Sequence, residues 1–469
     1  FFDDNGGDSS SPRYECAEFR VPYCYEGICE SNRTMDIFVK RDLMESMYDE
    51  LKGDVSIYTM DHRGTARSNR LECQAAEAQT PGSPGGTAAM DLRTVIDHTL
   101  ADEDVYVYGL SYGTYLVERL IHVPPASVKG FIIDGIVSEA GANIEERSTY
   151  SNWDHDVGVV GSRFLGYCEG DAYCKAKFAH VPDLTQFVRD LYKQLDKDAL
   201  HPGTSACADA LQDSGKKPSY FLRSAFGELL MDDAARVLIP AIVYRAARCS
   251  KEDAEALHFF VDLFSGPVSN DSSDLDEVLF TSQMLYSLIV FSEMWESPSP
   301  GVESLIKWYE DSVVGSDNYV NFPAYCLFTG SREQSCKNLK HLPKSRPLMY
   351  ERDAFWNQTA KLPENVSALL MSGGLDLQTR RMYGNLQYEL LGGDRMLVQF
   401  DYAGHCTTFT TPTKSGGPTC GVQILASYVR NDGDVSRVDT SCVGDVYGLD
   451  FHVSSDMAEE YLGVQDGYA

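Results

Sequence analysis

The sequence sets Ser111 between two glycines, in Gly109-Leu110-Ser111-Tyr112-Gly113. A serine hydroxyl becomes a nucleophile when a general base takes its proton and a carboxylate orients that base. His405 is the candidate base. It follows the apolar run 396–400 through a short loop that ends in Gly404. Asp376 is the candidate acid, reached from the run 366–371 through Gly373 and Gly374. Serine, then acid, then histidine, each just past a predicted strand, is an order in which a Ser-His-Asp triad is built. Two rivals fit less well. His452 lies in an acidic tail with no strand and glycine before it, and Asp401 is so close to His405 that it reads as shaping that loop. The chemistry implied is acyl transfer through a covalent acyl-enzyme.

Such side chains must be held by elements. Residues 105–108 are Val- and Tyr-rich and read as a buried strand. After the serine, Leu116, Val117, Leu120 and Ile121 fall at helical spacing. Strand, G-x-S-x-G, helix is the nucleophile elbow of an α/β-hydrolase, in which a sharp turn lifts the serine out of the sheet. Glycine on either side leaves room for strand and helix to approach. Further strands are predicted at 19–22, 34–40, 54–60 and 130–135, with helices at 43–51 and 88–100 and a loop at 80–87. Their alternation predicts an α/β-hydrolase fold, a mostly parallel sheet with an inserted helical lid. The core is expected from 14–144 and 345–469, the lid from 145–344, and disorder at 1–13.

Composition sets limits. A net charge of −30 over 469 residues argues against nucleic acid or an anionic membrane surface as partner. No apolar run is long enough for a transmembrane helix. The chain starts at Phe1 and reads as a mature or trimmed form. Its 13 cysteines are spread out, without a zinc-type repeat, and sequons begin at Asn32, Asn270, Asn357 and Asn365. Cys24/Cys29, Cys168/Cys174 and Cys326/Cys336 are close pairs; Cys207/Cys249 and two of Cys406, Cys420 and Cys442 could close longer loops. A secreted, disulfide-bonded protein without metal or other cofactor is expected, with one thiol left over from the odd count.

Together, 106–116, Asp61-His62-Arg63-Gly64-Thr65-Ala66-Arg67-Ser68, Gly374-Leu375-Asp376 with Gln378-Thr379, and Ala403-Gly404-His405 resemble the proline iminopeptidase and tripeptidyl-aminopeptidase group of α/β-hydrolases. The resemblance spans about 14–445 and is loose across the lid. It implies an aminopeptidase of prolyl or tripeptidyl type acting on peptide substrates, with Ser111 as nucleophile, Asp376 as acid and His405 as base. It also implies an amine-reading acid in the lid. Glu293 and Glu296, beside Phe291 and Trp295, are the candidates, since a carboxylate in an apolar pocket can hold a free α-amino group by charge-assisted hydrogen bonds. Asp61 and Arg63 read as buttresses of the fold.

Three positions depart from the group. Ala66 stands where it usually has Gly, and Arg380 where it usually has Pro. Its strand ending in Gly-Gly-Pro-Gly, which supplies one oxyanion-hole N–H, has no counterpart. Residues 38–41 run straight on to 42–51, and Gly53 is the only glycine between 31 and 60. The Tyr112 N–H is then the remaining oxyanion donor. An esterase or lipase of the same fold, and a catalytically impaired homologue, are the alternatives.

Overall fold

The structure is a computed structural model that describes residues 2–3, 15–26, 28, 31–42, 45–68, 84–138, 143, 146–212, 215–265, 282–339, 342 and 346–469. Its strands fall into two sheets of four. The first is antiparallel: β1 (Phe2–Asp3), β2 (Glu15–Pro22), β3 (Thr34–Asp42) and β4 (Ile57–Met60), in that order. The second is parallel: β5 (Val105–Leu110), β6 (Val128–Asp134), β7 (Ser367–Gly373) and β8 (Asp394–Phe400).

One continuous sheet was expected, and this division departs from it. Among the described residues no strand bridges β4 and β5. The chain leaves β3 at Asp42 and passes through the short helix α1 (Glu45–Glu50) on its way to β4, so the described residues of this stretch supply no further strand. Of the loop expected at 80–87, residues 80–83 lie outside the described set. Its end already belongs to α2 (Pro84–Thr99), which starts at Pro84 because a proline needs no N–H partner in the first turn.

Period-two alternation in the parallel sheet sorts its side chains to two faces. Phe131, Ile133, Ala368 and Leu370 pack with Ile96 of α2 and with Val117, Leu120 and Ile121 of α3 (Tyr112–His122). Ile132, Leu369, Met371, Val398 and Phe400 pack on the opposite face with Val422, Ile424, Leu425 and Tyr428 of helix Cys420–Arg430. A parallel sheet covered on both faces needs such continuous apolar strands, and β7 is buried along its whole length.

Residues 146–339 contain helices and no strand among those described. Their core, with Phe164, Leu222, Phe226, Leu238 and Ile242, extends to Leu375 and Leu377 after β7 and to Phe451 and Leu462 near the C-terminal end. The helical region therefore sits over the loop carrying Asp376. Two further ties fix it there. Arg163 donates to the Gly374 carbonyl at 2.9 Å, and Arg380 pairs at 2.8 Å with Asp156 of α4 (Trp153–Gly170). Arg380, one of the departures from the resembled group, thus acts as a tether.

Disulfides join Cys168–Cys174, Cys207–Cys249, Cys326–Cys336 and Cys420–Cys442. Cys24 is also disulfide-bonded, while Cys16 and Cys406 are buried free thiols. Cys29 and the sequon at Asn270 lie outside the described residues. No helix among the described residues is long and apolar enough to cross a membrane.

Candidate active site

The elbow follows from local sterics. β5 ends at Leu110, α3 begins at Tyr112, and Ser111 makes the turn with φ 53° and ψ −124°. A non-glycine residue at positive φ costs on the order of 1–3 kcal/mol and persists only where its surroundings hold it. Two contacts hold Ser111: its N–H donates to the Asp134 carbonyl at 2.9 Å, and its carbonyl accepts the Thr114 N–H at 2.9 Å. The Thr114 hydroxyl adds a bond to that carbonyl at 2.6 Å. At Gly109 a Cβ would stand 2.4 Å from the Gly113 carbonyl oxygen, so strand and helix approach only because Gly109 has none. The same need was expected at Gly113, but a Cβ there meets open space.

Asp376 and His405 meet because their loops interlock. The Leu375 N–H donates to the Ala403 carbonyl at 2.9 Å, and Gly374 to Phe400 at 2.7 Å. A Cβ on Gly373 would lie 2.2 Å from the Gly404 oxygen, and one on Gly374 would lie 2.1 Å from the Asp401 oxygen. The two glycines that flagged Asp376 in the sequence are therefore what lets the histidine loop lie against it. Asp376 is fully buried. Its Oδ1 accepts the N–H groups of Gln378 and Thr379 at 2.8 and 2.7 Å. Its Oδ2 accepts the Thr379 hydroxyl at 2.5 Å and His405 Nδ1–H at 2.8 Å. This pairing assigns the imidazole proton to Nδ1 and leaves the Nε2 lone pair for base chemistry. Nε2 is buried and makes no hydrogen bond, to Ser111 Oγ or to any other group. Serine–histidine contacts are often long in the absence of substrate.

Burial lowers the pKa of His405, but the hydrogen bond and charge of Asp376, with Asp134 behind, outweigh it and leave the pKa raised above 6.5. The Asp233 carboxylate, from the helical region, faces Gly404 of this loop. A general base must be neutral to act. The acid limb of kcat/KM should therefore have its midpoint above the ordinary imidazole value, with activity lost as pH falls through it. A kcat/KM profile with its midpoint at or below that ordinary value would contradict this environment for the base.

Glu293 and Glu296 lie on and beside a π-helical turn, Val290–Met294. Glu293 is buried, and its two oxygens accept the hydroxyls of Tyr115 and Tyr350, with Arg119 at 3.4 Å. Glu296 is half-buried; its Oε2 accepts the Ser151 hydroxyl at 3.2 Å, and burial raises its pKa against the pull of Ser151 and Arg147. Tyr112 opens α3, in the turn whose N–H groups the helix itself does not use.

Asp61 and Arg63 sit in scaffolding. The Asp61 carboxylate accepts the Arg67 N–H at 3.0 Å. Arg63 forms a buried two-pronged pair with Asp91 of α2, at 2.7 and 2.5 Å, and also donates to the carbonyls of Pro22 and Tyr23. Leaving either charge of such a pair alone costs about 3–5 kcal/mol. Ala66 has φ 45°, in the left-handed region that favours glycine. His62, between them, is pushed down to about 4, chiefly by burial, and its Nε2 lies 3.5 Å from the Tyr112 hydroxyl. Sequence reasoning missed the contacts that Thr379 and Asp134 make to the candidate site. Thr379 stood in the motif after Asp376, and Asp134 lay within the predicted strand 130–135, but no spacing rule marks a residue that supports a site from behind.

The fold is that of an α/β-hydrolase: β5, elbow and α3 present the serine, and the loops after β7 and β8 present the acid and the histidine. No family model matches the chain, and no curated protein matches it. Among solved structures, an esterase from Thermogutta terrifontis is similar over 89% of this chain and 99% of its own, at 9% identity and a TM-score of 0.35. An alpha/beta fold family hydrolase from Bacillus anthracis str. Sterne is similar over the same shares, 89% and 99%, at 11% identity and a TM-score of 0.32. An esterase from Exiguobacterium antarcticum covers 80% of this chain and 90% of its own, at 12% identity and a TM-score of 0.28.

Proposed function

We propose that this protein is a secreted serine hydrolase that removes residues from peptide N-termini, using Ser111 as nucleophile, His405 as base and Asp376 as orienting acid. One observation carries the reading. The His405–Asp376 pair is closed at 2.8 Å, with an unspent buried Nε2, on a loop packed against the 134–135 turn that also holds Ser111. In this mechanism Ser111 Oγ attacks the scissile carbonyl while its proton passes to Nε2. Asp376 stabilises the imidazolium, which then protonates the leaving amine. Water, activated by Nε2, cleaves the acyl-enzyme and regenerates the serine. The Tyr112 N–H faces the developing oxyanion. The amine-reading carboxylate is proposed at Glu293 and Glu296, and of the two Glu296 has the less committed oxygens. The disulfides support an extracellular setting. Peptide anilides with free and with blocked N-termini, assayed beside short-chain esters, test the reading. Preference for free N-termini supports it, whereas turnover of esters alone would replace it with an esterase.

Among the described residues β4 and β5 are not joined, which favours a second reading, a catalyst short of one oxyanion donor. Loss of one such donor costs about 3 kcal/mol, or at least a hundredfold in rate. Turnover of free peptides should therefore rise by about that factor when a strand and Gly-rich loop are inserted between Arg41 and Asp42. Equal kcat values with and without the insertion would show that another donor completes the hole.

A further inference from the structure

Asp134 closes β6 and is fully buried. Its main chain and side chain touch opposite halves of the candidate site. The backbone carbonyl accepts the Ser111 N–H at 2.9 Å. The carboxylate accepts four hydrogen bonds from the two residues after Cys406. Oδ1 takes the N–H and hydroxyl of Thr407, each at 2.9 Å. Oδ2 takes the N–H of Thr408 at 2.9 Å and its hydroxyl at 3.2 Å. The next residue, Gly135, has φ +66°, and a Cβ there would stand 2.9 Å from Cε1 of His405. The turn after β6 is thus pressed against the imidazole. Tyr108 of β5 reaches the same loop, its hydroxyl 2.7 Å from Thr408 Oγ1.

A buried carboxylate is costly unless hydrogen bonds compensate its lost hydration. Here every compensating donor belongs to the loop that carries His405. An apolar side chain could fill the same volume, but it would leave two buried N–H groups unpaired and the loop free to shift.

We propose that Asp134 is a positioning residue that sets the spacing between Ser111 and His405, an inference that rests on the triad proposed above. Its carbonyl fixes the nucleophile's turn and its carboxylate fixes the base's loop. The two are joined through one rigid residue at the end of a central strand. A displacement of about 1 Å between reacting groups can lower a rate about a hundredfold.

The test is Asp134→Asn in the full chain, assayed with a short-chain p-nitrophenyl ester per folded molecule. The amide keeps the shape, but its NH2 side cannot accept the N–H it faces. A fall in kcat of about a hundredfold with KM nearly unchanged is expected, because the loss is in geometry and not in binding. A role in stability alone would lower Tm and leave kcat per folded molecule intact, and that result would overturn the inference. Should Asp134→Asn not fold, Thr408→Val removes one donor and should lower kcat about tenfold, on the same reasoning of partial misplacement; unchanged kcat there would overturn the inference equally. Fluorophosphonate labelling of the parent, mapped by peptide mass, separates the two levels. Label at Ser111 with undiminished turnover in the variants removes this inference and leaves the triad. Label absent from Ser111 removes the triad and this inference with it.

Discussion

Ser111→Ala should abolish turnover of peptides and esters alike and remove covalent labelling by a fluorophosphonate. The reason is local. The elbow holds position 111 at φ 53° and ψ −124°, and all the contacts that fix this turn are made by backbone atoms and Thr114. Alanine keeps those contacts, so the fold should survive with little change in Tm. What disappears is the only atom at that point able to form an acyl bond. Losing the nucleophile of a Ser-His-Asp triad lowers kcat on the order of 10^6-fold, with the remainder owed to binding and the oxyanion donors. Active-site titration and mass mapping check it. Labelling that persists on the alanine variant at the parental rate would move the nucleophile elsewhere in the chain.

Much of this arrangement was legible in the sequence, and the legible parts share a physical character. Gly109, Gly373 and Gly374 mark places where backbone meets backbone, and close approach leaves glycine as the residue that fits. The continuous apolar runs of β6 and β7 are what a parallel strand covered on both faces requires. Cys168–Cys174 and Cys326–Cys336 are short loops whose closure depends little on the rest of the fold. Longer-range facts were harder. Of Cys406, Cys420 and Cys442, nothing in the spacing says which two pair; the structure joins Cys420 to Cys442 and buries Cys406 as a thiol next to His405. The glycine-poor stretch 31–60 points to a missing Gly-rich segment, but the division of the described strands into two sheets is a property of pairing, which one strand's sequence does not encode. Glu293 shows the same limit. Beside Phe291 and Trp295 it reads as a pocket acid, yet the tyrosines that occupy its oxygens come from α3 and from residue 350, far away in the chain.

Asp376→Asn should keep the fold and lower kcat about 10^4-fold, the loss known for an orienting Asp→Asn change in a Ser-His-Asp triad. The acid is fully buried and spends Oδ1 on two backbone N–H groups, those of Gln378 and Thr379. An asparagine must keep its oxygen on that side to satisfy them. Its NH2 then replaces Oδ2 and faces Thr379 Oγ1 and His405 Nδ1, where two donors are now received. Thr379 can turn its hydroxyl and accept. His405 cannot donate from Nδ1 to an NH2 group, so it is held in the tautomer with Nδ1 as acceptor and the proton on Nε2. That is the atom which must receive the serine proton, and it arrives already protonated. The charge and hydrogen bond lost with the carboxylate also remove most of what raises the pKa of His405, leaving only the charge of Asp134 against the burial that lowers it. Two readings are therefore expected together: a large fall in kcat with little change in KM, and an acid limb of the pH–rate profile moved to lower pH. A merely structural aspartate would give a lower Tm and neither kinetic change. Turnover near the parental rate in a folded Asp376→Asn variant would show that another carboxylate orients the base, and Asp134, whose charge also bears on His405, would be the first to substitute next.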